Sequence, residues 1–178
     1  MLFTKSYQEQ QQQLHDTGTY GCGGNAKAHY EQVIRKLADG YGCQSILDYG
    51  AGSNLHYQKY LTDYVYTPYD IIEELYHEPE PHDMVIAVDV LEHIEPACLH
   101  DVLDHIESLT RGVFFASIHT APAKKVLADG RNAHLIQEPM EWWFPRLSAR
   151  FEILQLMRVS NMEFFVIAAR REDATTTD

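Results

Sequence analysis

Residues 45–56 read Ser-Ile-Leu-Asp-Tyr-Gly-Ala-Gly-Ser-Asn-Leu-His, and this stretch constrains the fold more than any other in the chain. Ile46 and Leu47 make a short apolar run suited to a strand buried on both faces. Gly50 and Gly52 follow directly, where a tight turn and a close approach of backbone to a ligand need residues without a Cβ. Ser53 or Asn54 can cap a helix over residues 55–61. Strand, glycine turn and helix together form a pocket of the nucleotide-binding kind, with helix amides facing the ligand. The glycines alone fit an ordinary tight turn equally well, so the rest of the chain has to decide.

The rest repeats the alternation of strand and helix. Tyr30, Val33, Ile34, Leu37 and Ala38 recur at helical spacing over residues 25–39, with Asn25 as cap and Gly40 as stop. Residues 64–69 read as a strand ending at Asp70, and residues 71–77 as one short helix. Asp70 suits a ribose-hydroxyl acceptor, or a turn or helix cap. Residues 84–88 form the next parallel strand, which delivers Asp89 to His93 to the carboxyl edge of the sheet. A helix from Pro96 with a stripe of Leu99, Val102, Leu103, Ile106 and Leu109 follows, broken by Gly112 before a strand over residues 113–118. Residues 119–138 make a connection long enough to be functional. Residues 139–147 look helical, with one of the adjacent Trp142 and Trp143 in the core and the other free to wall a substrate pocket. Residues 151–159 and 162–169 are two strands joined at Ser160-Asn161 as a hairpin.

In combination these features resemble the class I S-adenosylmethionine (SAM) dependent methyltransferases over residues 26–170. Asp48-x-Gly50-x-Gly52 is similar to their first motif, Asp70 stands at the expected distance, and Asp89-Val90-Leu91-Glu92-His93-Ile94 looks like the segment after their fourth strand. The resemblance implies an α/β, Rossmann-like sheet, mainly parallel with an antiparallel last strand. The stretch between Asp70 and Met84 is too short for the family's third strand, which is expected to be reduced or missing, and Asn54 replaces a third glycine. Implied cofactor contacts are Asp48, Tyr49, Gly50, Ala51, Gly52, Tyr69, Asp70, Asp89, Val90 and Leu91. Residues 1–25 form a polar segment ending in a glycine-rich loop, a candidate lid with Tyr20 as a substrate contact, and residues 171–178 a polar tail. Leu47-Asp-Tyr-Gly and the Asp129-Gly-Arg-Asn-Ala-His134 loop also resemble small methyltransferases of tailed phages.

If the strand passes into helix at Asp89, the spacing brings Asp89, Glu92 and His93 to one side. Two carboxylates and an imidazole suit Mg²⁺ or Mn²⁺, with His134 as a further ligand. This segment resembles the small-RNA 3′-terminal 2′-O-methyltransferases and the ubiquinone-biosynthesis O-methyltransferases, in which a metal engages substrate hydroxyls. Here the first position is Asp where those families would have Glu. Many other class I members have a similar segment and no metal. His93, His119 and His134 are candidate bases, since neutral imidazole is available at physiological pH. Asn132, His134 and Trp143 are expected on the substrate side.

The chain of 178 residues carries a formal net charge of -12, which repels phosphate backbones and disfavours extended nucleic-acid binding. A small-molecule or nucleotide acceptor is therefore expected, and since nothing in the chain resembles the Asn-Pro-Pro-Tyr type segment of amino-group methyltransferases, the resemblance implies methylation on oxygen. An RNA terminus would need a local patch from Lys124, Lys125, Arg131, Arg146 and Arg150. A SAM-binding module without activity and a nicotinamide-binding protein are the other readings. Three cysteines without metal-finger spacing read as reduced thiols, and no run is long enough to cross a membrane, which points to the cytoplasm, that of the host if the chain is phage-encoded.

Overall fold

The structure is a computed structural model that describes residues 1–18 and 30–171. In chain order its elements are α1 (Lys5–Asp16), α2 (Glu31–Gly40), β1 (Ser45–Tyr49), β2 (Val65–Tyr69), β3 (His82–Val88), a 3₁₀ turn (Leu91–His93), α3 (Leu99–Leu109), β4 (Thr110–His119), α4 (Met140–Ser148), β5 (Phe151–Ser160) and β6 (Glu163–Arg170). The strands form one six-stranded sheet in the order β2-β1-β3-β4-β6-β5. β2, β1, β3 and β4 run parallel, and β6 and β5 are antiparallel additions at the other side.

Side-chain alternation sends the two faces of the sheet into two cores. Leu47, Val85, Ala87, Phe114 and Ala116 face α3 and α4, where the stripe of Leu99, Val102, Leu103, Ile106 and Leu109 packs as its spacing requires. Ile46, Met84, Ile86, Val113 and Phe115 face α2, with Tyr30, Ile34 and Ala38. The result is a three-layer sheet with its carboxyl-end loops gathered on one edge.

Along the sequence no strand falls between β2 and β3, in agreement with the shortness of that segment: residues 71–81 have no regular structure. Five expectations need correction. Residues 55–61 are a chain of turns and not a helix, because Leu55 takes a positive φ of 45° and Tyr57 and Leu61 are drawn fully into the α2 core. Residues 71–77 are likewise turns, held by Leu75 N–H donating to the Ile72 carbonyl. The third helix starts at Leu99, after a turn that contains Pro96. Gly112 lies inside β4, where a Cβ would come within 3.0 Å of the Asp83 carbonyl oxygen; the glycine permits a close approach of strands and does not end the helix. α2 begins at Glu31 with Tyr30 as its cap, and Asn25 lies outside the described residues. Among the described residues, no helix is long and apolar enough to cross a membrane.

Candidate active site

The glycine turn after β1 is bound to the end of β2. Gly50 and Ala51 N–H both donate to the Tyr69 carbonyl, at 2.8 and 3.1 Å. Gly50 has φ of +81°, and a Cβ there would fall 2.4 Å from a methyl of Val90. Gly52 N–H donates to Asp70 Oδ2 at 2.9 Å, while Asp70 Oδ1 accepts from Ile71 N–H at 2.7 Å. Asp70 is thus a turn anchor whose carboxylate also faces a cavity of about 500 Å³. That volume lies within the roughly 300–1,000 Å³ usual for small-molecule sites.

The cavity opens over the carboxyl ends of β1, β2, β3 and β4, where ligands sit in open α/β sheets. Tyr49, Gly50, Gly52, Tyr69, Asp70, Asp89 and Val90 line it. Asp48, Ala51 and Leu91 are buried behind this surface. Asp48 accepts a 2.6 Å hydrogen bond from Tyr66 O–H, and Leu91 packs into the α3 core.

The opposite wall carries histidines. Asp89 takes a positive φ of 56°, a conformation few non-glycine residues adopt, and its N–H is bound to Ser117 Oγ and carbonyl. The chain then enters a single 3₁₀ turn in place of the expected α-helix, so Asp89, Glu92 and His93 are not brought to one point. Glu92 and His93 meet His134, with one donor atom from each within 4.8 Å of the others. Asp89 instead meets His119 and Glu163.

Glu92 is fully buried, and its Oε1 accepts from His119 N–H at 3.0 Å. Its Oε2 has no hydrogen-bond partner among the described residues. Burial first, then the nearby Asp89 charge, push the Glu92 carboxyl well above the usual carboxylate range. His93 Nδ1 lies 2.8 Å from the Ala133 carbonyl, and His134 Nδ1 lies 2.6 Å from that of Ala121. A carbonyl can only accept, so both rings carry their proton on Nδ1 and present Nε2 as the basic nitrogen. Burial, aided by His134, pushes His93 down to about 3, and burial lowers His134 too. Both rings are therefore neutral near pH 7.

His119 and His134 line the cavity; Asn132 supports it from behind. Asn132 Oδ1 accepts from Ala123 and His134 N–H, each at 2.9 Å, which holds the loop that carries His134. Trp143 is not brought to the cavity. It is fully buried among the α3 and β4 side chains, and its indole N–H donates to the Glu138 carbonyl. Tyr20 lies outside the described residues.

Two contributions escaped the sequence reading. Glu163 reaches the site because it is the β6 register partner of His119, and no local signal specifies that pairing. α1 lies across the cavity, with Tyr7, Gln11 and His15 in its lining and Tyr7 O–H donating to the His93 carbonyl at 2.6 Å. Of the expected basic patch, Lys124 and Lys125 line the cavity. The other three cations of the expected basic patch are engaged elsewhere: Arg131 pairs with Asp129, Arg150 with Asp104, and Arg146 stacks on Trp142.

No family model matches the chain, and no curated protein matches it. Solved structures with the same fold do. A DhpI–SAH complex is 12% identical with a TM-score of 0.69, covering 95% of this chain and 97% of its own. The 1,6-didemethyltoxoflavin-N1-methyltransferase of Burkholderia thailandensis, with bound 1,6-didemethyltoxoflavin and S-adenosylhomocysteine, is 20% identical with a TM-score of 0.63, covering 90% and 85%. The N-methyltransferase NodS of Bradyrhizobium japonicum, in complex with S-adenosylhomocysteine, is 10% identical with a TM-score of 0.65, covering 92% and 100%. The chain has the Rossmann-like fold of these class I methyltransferase structures.

Proposed function

We propose that this protein is a SAM-dependent methyltransferase that acts on an oxygen of a small anionic molecule. The observation that carries the reading is the cavity over the carboxyl ends of β1 to β4, bounded by a glycine turn on one side and half-buried imidazoles on the other. The cofactor fits this chain's own groups. The positive-φ glycines keep the turn free of side chains, and Asp70 keeps acceptor capacity for a ribose hydroxyl beside its bonds to Gly52, Ile71 and Ile72. The shared fold, in which the cited structures hold S-adenosylhomocysteine, supports the same assignment. Bound there, SAM supplies an electrophilic methyl group whose sulfonium leaves as a neutral thioether.

The chain's task is then to place an acceptor oxygen in line with that methyl and to manage the acceptor's proton. Glu92, His93 and His134 suit this end of the cavity. Two neutral imidazoles with Nε2 forward and a buried carboxylate with an unsatisfied oxygen form a donor set for a divalent cation, each ring oriented by a backbone carbonyl behind it. A cation held there would supply Lewis acidity to the acceptor hydroxyl. Such a depressed His93 is a poor proton acceptor at neutral pH, which favours ligation over general-base work for that ring. Lys124 and Lys125 favour an acceptor that bears a carboxylate or phosphate-type charge. The scatter of Arg131, Arg146 and Arg150 into ion pairs and stacking argues against an RNA-terminus platform.

The test is turnover of SAM to S-adenosylhomocysteine with a panel of small hydroxylated acids, followed by mass spectrometry. Methylated product formed in equal amount, abolished by chelator and restored by Mn²⁺, is the expected result. A Glu92→Gln variant should bind S-adenosylhomocysteine but lose about 100-fold in turnover. Turnover indifferent to both chelator and Glu92→Gln would remove the cation from the reading, and failure to bind the cofactor would remove the reading itself.

A further inference from the structure

The second group of donors, Asp89, His119 and Glu163, has no part in the scheme above. His119 closes β4 and Glu163 opens β6, and the antiparallel ladder sets them directly opposite each other. His119 Nε2 lies 3.8 Å from Glu163 Oε2 and 3.8 Å from Asp89 Oδ1. These gaps are too long for hydrogen bonds, whose N···O distances run to about 3.2 Å. They are close to the roughly 3.0–3.6 Å that separates neighbouring donors around a divalent ion with bonds of about 2.1–2.2 Å.

The Glu163 carboxylate is fixed from behind, as metal ligands are, and the other two residues are held through their backbone N–H groups. Tyr30 O–H donates to Glu163 Oε1 at 2.6 Å, which leaves Oε2 as the oxygen facing His119. Ser117 binds the Asp89 N–H and holds that residue at its positive φ. Glu92 Oε1 binds the His119 N–H and ties this group to the neighbouring one. Strained non-glycine backbone of this kind persists where the surroundings over-determine it, and functional sites are where it gathers. Charge points the same way. Glu92 stands near Asp89 and Glu163, and the His119 imidazole faces both of those carboxylates. Carboxylates drawn together in a half-buried place are a setting that a bound cation stabilises.

We propose that Asp89, His119 and Glu163 form a second divalent-cation seat beside Glu92, His93 and His134, so that the cavity holds a pair of ions of the Mn²⁺ or Mg²⁺ class. Three protein ligands leave open positions, and Asp89 and His119 both line the cavity, so the remaining positions face its contents. Where the methyl-transfer reading holds, the paired ions select an acceptor with two oxygens on neighbouring carbons, a diol or hydroxy acid. The ion count itself does not rest on that reading.

The experiment is titration of Mn²⁺ into metal-stripped full-length protein, with stoichiometry from calorimetry and from electron paramagnetic resonance. Wild type should bind two Mn²⁺ per chain, with the broadened spectrum of coupled neighbouring ions. Glu163→Gln and His134→Ala should each bind one, with an uncoupled spectrum. Tyr30→Phe, which removes only the group behind Glu163, should weaken one of the two sites about tenfold and leave the other unchanged. One ion, lost in His134→Ala and kept in Glu163→Gln, overturns the second seat and preserves the first. One ion lost only in Glu163→Gln preserves the second seat and removes the first. No ion in wild type, or a single uncoupled ion that both variants retain, overturns the proposal, and S-adenosylhomocysteine titrated into the same samples reports separately on the cofactor site.

Discussion

Substitution of Gly50 by alanine tests the turn on which the cofactor site is built. Two separate penalties apply. Alanine at φ of +81° meets the steric cost of left-handed backbone, about 1–2 kcal/mol. The new Cβ would also stand 2.4 and 2.9 Å from the two methyl carbons of Val90, overlap that a packed site relieves only by moving, at about 1–3 kcal/mol. Gly50→Ala should therefore lose about 2–5 kcal/mol. The two parts separate in a double-mutant cycle, because Val90→Ala removes the methyls and leaves the φ unchanged. The double variant should be more stable than the sum of the singles by about 1–3 kcal/mol, with the backbone penalty remaining. Urea denaturation followed by the fluorescence of Trp142 and Trp143 gives all four stabilities. Additivity within about 0.5 kcal/mol would show that Gly50 and Val90 do not meet as described and would refute the steric reasoning.

Other outcomes follow from the same geometry. Asp83 Oδ2 accepts from Gln44 N–H, Ser45 N–H and Ser45 Oγ–H at 2.8–3.0 Å, so Asp83→Ala should destabilise by about 1–3 kcal/mol in denaturation. The Gln44 amide, with Ser45, holds the Asp83 carboxyl below its ordinary 3.8. Its contribution is therefore complete above about pH 4 and lost as pH falls through the depressed value, and the wild-type advantage over Asp83→Ala should shrink only on that acid side. Trp143→Ala, in the α4 core, should cost about 3–5 kcal/mol yet leave cofactor affinity per folded molecule unchanged; an affinity loss would return Trp143 to the cavity. Tyr7→Phe should cost about 0.5–1.5 kcal/mol and speed hydrogen exchange in α1, and unchanged exchange would show that the bond to the His93 carbonyl does not hold the helix down.

Much of the scaffold was legible in local pattern. The glycine turn, the alternating strands, the buried stripe of α3 and the terminal hairpin are short-range signals, and the missing strand between β2 and β3 followed from chain length alone. What could not be read depends on tertiary placement. Residues 55–61 carry helix-compatible spacing, but the burial of Tyr57 and Leu61 against α2 overrides it. Asp89, Glu92 and His93 share a helical spacing that a positive φ at Asp89 and a 3₁₀ turn dissolve into two groups. Glu163 is supplied by strand register, and α1 by docking of a polar helix whose glutamines bond to loops far away in sequence, such as Gln8 to the Ile71 carbonyl.

Calorimetric titration of S-adenosylhomocysteine into the wild-type protein and into Asp70→Ala tests the central claim most directly. The account predicts one molecule bound per chain, and an affinity at least tenfold weaker in the variant, which loses the carboxylate that anchors Gly52 and faces the cavity. No binding by a folded wild-type protein would contradict the assignment of this cavity to SAM, whatever the likeness of fold.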